Sequence, residues 1–205
     1  MSNRILGFLL VLGTLSALPA QALEVGALGG LNFWGYGFAP PSGTTAPTTK
    51  TTGSLAFGGF VRVGMNPLLD LELDLIYAKK KNAYTSGAGT NVFETSSYMV
   101  PVLVRSSFIP GNFINVGAGA YYEIGTSNGV TVNGVNGAYS DAGVKSHDIG
   151  LIGSVQMSLP VMPLVRFLID GRYLHGLSEQ QNDTATNGSY KNRSIQAFAG
   201  ISVGI

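Results

Sequence analysis

With 205 residues, 12 basic against 11 acidic side chains, no cysteine and charge at only 11% of positions, the chain has the size of one domain. The missing cysteines exclude a disulfide framework and a thiolate metal site. The even charge balance excludes an electrostatic surface for nucleic acid. A glycine count of 29 and 10% aromatic residues, at so low a charge, suit β-structure facing a membrane better than a soluble α/β enzyme.

The chain opens with Arg4, an apolar run over residues 5–18 and the small-x-small sequence Ala20-Gln21-Ala22. This pattern predicts a secretory signal peptide over 1–22 and one domain over 23–205. The apolar run is too short to span a bilayer as a helix, and no later stretch reaches the roughly 18 apolar residues that would.

Eight strands are predicted, over residues 24–36, 54–64, 69–78, 95–106, 113–125, 147–159, 164–175 and 193–205. Their lengths are close to the roughly 9–11 residues that a tilted transmembrane strand needs. The third is the clearest. Leu69-Asp70-Leu71-Glu72-Leu73-Asp74-Leu75-Ile76-Tyr77 alternates large apolar residues with acids, so its two faces are chemically opposite. The last strand alternates as well: Ile195, Ala197, Ala199, Ile201, Val203 and Ile205 share one face.

The connections alternate in length. Tight turns at 65–68, 107–112 and 160–163 contain Pro or Pro-Gly, while the segments 39–53, 79–94, 126–146 and 177–192 are long and rich in Thr, Ser, Gly and Asn. Three short turns and four long loops fit eight up-and-down strands with both termini on one side. In outer-membrane barrels the short turns face the periplasm and the long loops face outside. The predicted fold is therefore an all-β, eight-stranded antiparallel up-and-down transmembrane barrel. A soluble lipocalin-like carrier has the same strand number and is the alternative on strand count alone.

Two local stretches carry a resemblance. Tyr98-Met99-Val100-Pro101-Val102-Leu103-Val104-Arg105 resembles the strand-Pro-strand segment of the PorT-like outer membrane β-barrel domain family, within the broader OmpA-like group. Asp170-Gly171-Arg172-Tyr173-Leu174-His175-Gly176-Leu177 resembles that family's Arg-Tyr…Gly-Leu strand end. The C-terminal strand resembles the terminal signal of outer-membrane proteins, departing from it in ending on Ile205 where an aromatic residue is usual. The resemblance implies an outer-membrane barrel of a Gram-negative-type bacterium, with a function that varies among members. It transfers no catalytic residues.

Parity assigns the charges. A Lys or Arg held in hydrocarbon at mid-bilayer costs about 2–4 kcal/mol, so Asp70, Glu72 and Asp74 on the third strand and Arg166, Asp170 and Arg172 on the seventh are expected inside. Glu24, Arg62, Arg105, Glu123 and Asp148 join them. A narrow barrel leaves room for side chains and little else, and buried charges need partners. The tight turns predict Arg62 opposite or diagonal to Asp70 and Glu72, Arg105 reaching Asp70, and Asp148 a diagonal step from Arg172. Together these predict an ion-pair network that plugs the lumen; a proton or ion path is the functional alternative.

Other chemistry is sparse. His147 and His175 share the parity of the lipid-facing residues, and pairing about residues 160–163 would set them opposite each other. They would then suit a metal, or a His–Ser178 site on an outer-leaflet lipid like that of lipid A hydrolases, though no acid at fixed spacing orients either imidazole. Lys79, Lys80, Lys81 and Arg193 lie near the extracellular strand ends, at the height of lipopolysaccharide phosphates. Glycines such as Gly26, Gly29, Gly30, Gly117 and Gly119 precede no helix and are expected to relieve crowding in a tightly curved wall.

The functional reading is a small monomeric, non-enzymatic barrel with a structural or surface-interaction role. Its partners are outer-membrane lipid, including lipopolysaccharide, and an extracellular ligand met by the loops; no cofactor, metal or nucleic acid is expected. A narrow channel or transport- or secretion-associated barrel is the second reading, and a lipid-modifying enzyme of the outer leaflet the third.

Overall fold

Alternation of side chains is carried into architecture by strand pairing. The computed structural model describes residues 23–39, 48–86, 89–107, 113–132, 135–137, 145–179 and 189–205, so the expected signal peptide over 1–22 lies outside the described residues. Strands β1 (Leu23–Ala39), β2 (Thr48–Asn66), β3 (Leu69–Ser86), β4 (Gly89–Ser107), β5 (Ile114–Val132), β6 (Val135–Gly137), β7 (His147–Met162), β8 (Val165–Glu179) and β9 (Ser189–Gly204) are all antiparallel to their neighbours. Pairing of β1 with β9, from Glu24↔Gly204 to Ala39↔Ser189, closes eight of them into a barrel without an edge. The short β6 is an added hairpin on the far end of β5. Closure satisfies the wall's backbone groups internally, as a bilayer requires.

The barrel is polar inside and apolar outside. Leu73, Leu75, Val102, Val104, Leu151, Val155, Ile169 and Ile201 are exposed, whereas Arg62, Glu72, Arg105, Asp170 and Gln196 are buried. On β7 exposed and buried positions alternate without a break over the first twelve residues. An apolar cluster that includes Leu28, Phe60, Ile76, Met99, Leu103, Ile152, Leu168, Leu174 and Phe198 shares the interior with the charges.

Strands run well past the expected ends. Pairing of β3 with β4 continues from Lys79↔Ser96 to Ser86↔Gly89, so most of the expected loop 79–94 is hairpin. The apolar stripe stops near residue 78 because the outer face no longer meets lipid there. Backbone pairing has no such limit. β5 likewise continues into the expected loop 126–146.

The turns at the opposite end are built by local chemistry. Asn66 Oδ1 accepts from the N–H groups of Leu68 and Leu69, both at 2.9 Å, an Asx-type turn. Between β7 and β8 the turn is Pro163-Leu164, with Leu164 at φ 68° and its carbonyl held by the Gly204 N–H at 2.7 Å. This centre lies beyond the one expected, and it moves the β7–β8 register so that Leu151, not His147, faces His175. One pairing is interrupted: Pro101, in mid-strand, has no N–H to offer β3, and the ladder lapses between Leu73↔Val102 and Ile76↔Met99.

Three of the expected crowding glycines behave as predicted, Gly26 among them, where a Cβ would sit 2.4 Å from the Phe60 ring. A Cβ at Gly30 would sit 2.0 Å from the Ala197 carbonyl oxygen and one at Gly119 would sit 1.9 Å from that of Val102. Gly29 differs, since it faces outward with nothing within 4 Å.

Two stability outcomes follow. Leu164→Gly should raise reversible folding stability in detergent by about 0.5 kcal/mol, the left-handed penalty removed less glycine's entropy; a loss would show that the Leu164 side chain matters more than its backbone. Val155→Arg, at mid-wall, should cost about 2–4 kcal/mol, against about 0–1 for Val161→Arg beside the turn. Equal costs would argue against a bilayer centred on β7.

Candidate functional site

The β2–β3 register sets Arg62 directly opposite Glu72. Arg62 donates to Glu72 Oε2 through Nε at 2.8 Å and Nη2 at 2.5 Å, to Glu24 Oε2 at 3.0 Å and to Gln156 Oε1 at 2.6 Å. Arg105, on β4, donates to both Glu72 oxygens at 2.7 and 2.6 Å, to Ser154 Oγ at 2.8 Å and to Asp170 Oδ2 at 2.8 Å. Arg172, on β8, donates to Asp170 Oδ2 at 2.9 Å, to Asp74 and, at 3.4 Å, to Glu72 Oε1. Glu72 thus receives three guanidiniums at 0% exposure.

Neighbours complete this lower cluster. Ser154 Oγ donates to Asp170 Oδ1 at 2.6 Å and Ser202 Oγ donates to Glu24. The Arg62 and Arg172 guanidiniums lie 5.1 and 5.2 Å from the ring centres of Phe60 and Phe198, favourable cation–π distances. Seven of the eight barrel strands contribute these side chains, and on β5 Gly117 contributes space. A Cβ at Gly117 would lie 3.2 Å from Arg105 Cγ. Four carboxylates face three guanidiniums here, and Asp74 Oδ1 is left without a hydrogen bond.

A second cluster lies nearer the long-loop end. Lys80 Nζ meets Glu123 Oε1 at 2.5 Å and lies 5.6 Å from the Trp34 ring centre. Trp34 Nε1 donates to Asn192 Oδ1 at 2.6 Å, and Asn192 Nδ2 donates to Asp148 Oδ2 at 2.9 Å. Asp148 also accepts from Tyr121 OH at 2.8 Å and from Ser178 Oγ. Between the clusters the inward positions turn apolar, at Ile76 and Ala78 on β3 and Leu174 on β8.

The structure therefore gathers Arg62, Glu72, Asp74, Arg105, Asp170 and Arg172 in one cluster, Glu123 and Asp148 in another. Asp70 and Arg166 stay half-buried at the turn end, and neither makes an ion pair among the described residues. Three expected contacts are corrected. Asp70 is the register partner of Arg105, yet the Arg105 side chain reaches up to Glu72 and across to Asp170. Asp148 lies far from Arg172, whose partner on β7 is Ser154, because the turn is centred at 163–164. The same shift separates His147 from His175 by four residues along β7, so they form no metal pair.

Lys80 is the fourth correction. It is 7% exposed and points inward, so it is not a surface cation for lipopolysaccharide. Its even number, continuing Asp70, Glu72 and Asp74, was the available signal. Lys79 and Arg193 are exposed, and Lys81 pairs with Glu94 on the outer face. Sequence reasoning also missed Trp34, Asn192 and Gln156, neutral residues of inward parity that become visible only when the charges beside them are placed.

Comparison with known proteins agrees with this geometry. The family described as "Outer membrane protein beta-barrel domain" matches residues 19–182. No curated protein sequence matches significantly. Among solved structures, the outer membrane protein OprG from Pseudomonas aeruginosa is similar, with a TM-score of 0.61 at 12% identity, over 91% of this chain and 96% of that one. Neisserial surface protein A has a TM-score of 0.53 at 16% identity, over 89% and 97%. The outer membrane protease OmpT from Escherichia coli has a TM-score of 0.52 at 9% identity, over 91% and 97%. At these identities the likeness is one of fold. A closed barrel with an apolar outer face, matched over most of its length, belongs to the outer membrane protein beta-barrel domain family, and the chain resides in the outer membrane of a Gram-negative-type bacterium.

Proposed function

We propose that the chain is a monomeric, non-enzymatic outer-membrane barrel whose lumen is sealed by side chains and whose contacts are made by its wall and extracellular loops. Within its family we infer a PorT-like or OmpA-like member, a reading supported by the resemblance of the strand-Pro-strand segment around Pro101 and of the Asp170–Leu177 strand end. The observation that carries the reading is the lower cluster. Glu72, Arg105 and Arg172 are 0–2% exposed and bridge opposite walls of the barrel. Each guanidinium is held by several acceptors, which favours a strut over a mobile gate. Outside, Lys79, Lys81 and Arg193 supply positive charge at the height of lipopolysaccharide phosphates, the proposed lipid partner.

A neighbour that is a protease means that shared fold does not decide between enzyme and non-enzyme. The chemistry supports the second. His175 faces outward opposite Leu151 and Arg193, with no carboxylate as its register partner.

Three measurements test this. In planar bilayers the purified barrel should give no steady conductance; ohmic steps abolished by Arg62→Ala or Arg105→Ala would establish a channel instead. Glu72→Gln, which strips three guanidiniums of a shared carboxylate, should lower stability by about 3–5 kcal/mol, read from unfolding in urea; a change within 1 kcal/mol would remove the structural role. Lipid A mass spectra from cells with and without the protein should be identical. An acyl change lost in His175→Ala would make it an enzyme.

A further inference from the structure

We propose that the outer wall of β2–β4 carries a seat for one phosphorylated lipid of the outer leaflet, its acyl chain lying over Gly59 and its phosphate meeting Lys79. This rests on the lipopolysaccharide contact proposed above and narrows it to one place.

The wall is not smooth there. A groove of about 650 Å³ is lined mainly by Phe57, Val61, Leu73, Leu75, Tyr98 and Val100, with the bare backbone of Gly58 and Gly59 as its floor and the buried Asp74 bordering it. That volume lies within the roughly 300–1,000 Å³ of sites that hold small ligands. The groove crosses the place where Pro101 interrupts pairing of β3 with β4, so the walls beside Leu75 and Val100 lack two rungs of the ladder.

Its height selects the occupant. β3 enters the wall at Leu69, and about nine residues cross a bilayer core, so Tyr77 stands at the outer interface. Phe57, Tyr77 and Tyr98 form a row there, with ring centres 5.2 and 5.4 Å apart. Below it Leu75 lies in the outer leaflet and Leu73 at the membrane centre. Lys79 stands above, two residues beyond Tyr77 on the same face and, on a tilted strand, about 5 Å further from the membrane centre.

Charge narrows the choice further. Lys81 is neutralised by Glu94. Lys79 is exposed and makes no ion pair among the described residues. An apolar trough below an aromatic row, topped by an ammonium with no ion pair among the described residues, is complementary to an acyl chain joined to a phosphate. A second barrel would bring another Lys79 to the same spot and would be repelled.

The test uses the full mature chain in nanodiscs containing bisphosphorylated lipid A, released into mild detergent and weighed by native mass spectrometry. One lipid A should remain per barrel. Retention should fall at least tenfold in Lys79→Glu and in Val61→Trp, which fills the trough, and should be unchanged in Arg193→Glu. Leu73→Trp repeats the filling in case Val61→Trp does not fold, folding being read from heat-modifiable migration on gels. Dephosphorylated lipid A should be retained at least tenfold less. Equal losses in the Lys79 and Arg193 variants would overturn the single seat and leave the diffuse contact standing. No retention by any form would overturn both. A barrel dimer without lipid would assign the groove to a second copy and overturn the proposal.

Discussion

A charge in this protein has two places it can go, and the bilayer removes one of them. Outside the wall is hydrocarbon, so a guanidinium or carboxylate on a spanning strand must turn inward. Inside, a barrel of eight strands has room for little but side chains, so it must find an opposite charge within the barrel's width. Glu72 is where these demands converge, taking hydrogen bonds from Arg62, Arg105 and Arg172, which come from β2, β4 and β8. These strands are distant in sequence. The network therefore fixes the barrel across its diameter, while the backbone ladder fixes it around its circumference.

That division explains what could be read from the chain alone. The Leu/acid alternation over residues 69–77 declares which face is which, because the period of two is a property of a single strand. Barrel closure is legible too, since eight strands with three tight turns leave few alternatives. Pairing across the lumen is different. It depends on register, and register depends on turn geometry that a sequence states only loosely. Placing the β7–β8 turn at Pro163-Leu164 required a non-glycine residue at positive φ, a conformation that composition disfavours. With that turn misplaced, Asp148 is paired with the wrong cluster and two histidines meet that in fact stand apart. Lys80 fails for another reason. A run of three lysines reads as a solvated strand end, yet parity outlasts the apolar stripe and carries the middle one inside to Glu123.

The interior is layered rather than uniformly polar. From the turn end upward, β3 presents Glu72 and Asp74, then Ile76 and Ala78, then Lys80. The lower cluster is dominated by Arg and is anchored in several directions at once. The upper one is organised around neutral donors, with Trp34, Asn192, Tyr121 and Ser178 serving two carboxylates and one ammonium. Arginine's fixed fork suits the first, where each planar group must satisfy two or more acceptors. Lysine suits the second, where one point charge meets one carboxylate over an aromatic face.

This layering bears on whether the charges could form a path. A row of acids and bases along a lumen invites the comparison with a proton or ion route, but a route needs its steps to be contiguous. Here the two charged tiers are separated by Ile76, Met99, Ile152 and Leu174, each 3% exposed or less and joined in one apolar cluster. On β9, however, Gln196 and Ser194 point inward and are buried at that level, and Ser194 Oγ donates to Asn32 on β1, so the tier keeps a polar side. The charges below the tier already bind one another, and those above it are closed by Asn192 and Tyr121. The arrangement is one of two charged knots, the lower with Asp74 Oδ1 to spare, held apart by an apolar cluster and linked along β9 by Gln196 and Ser194.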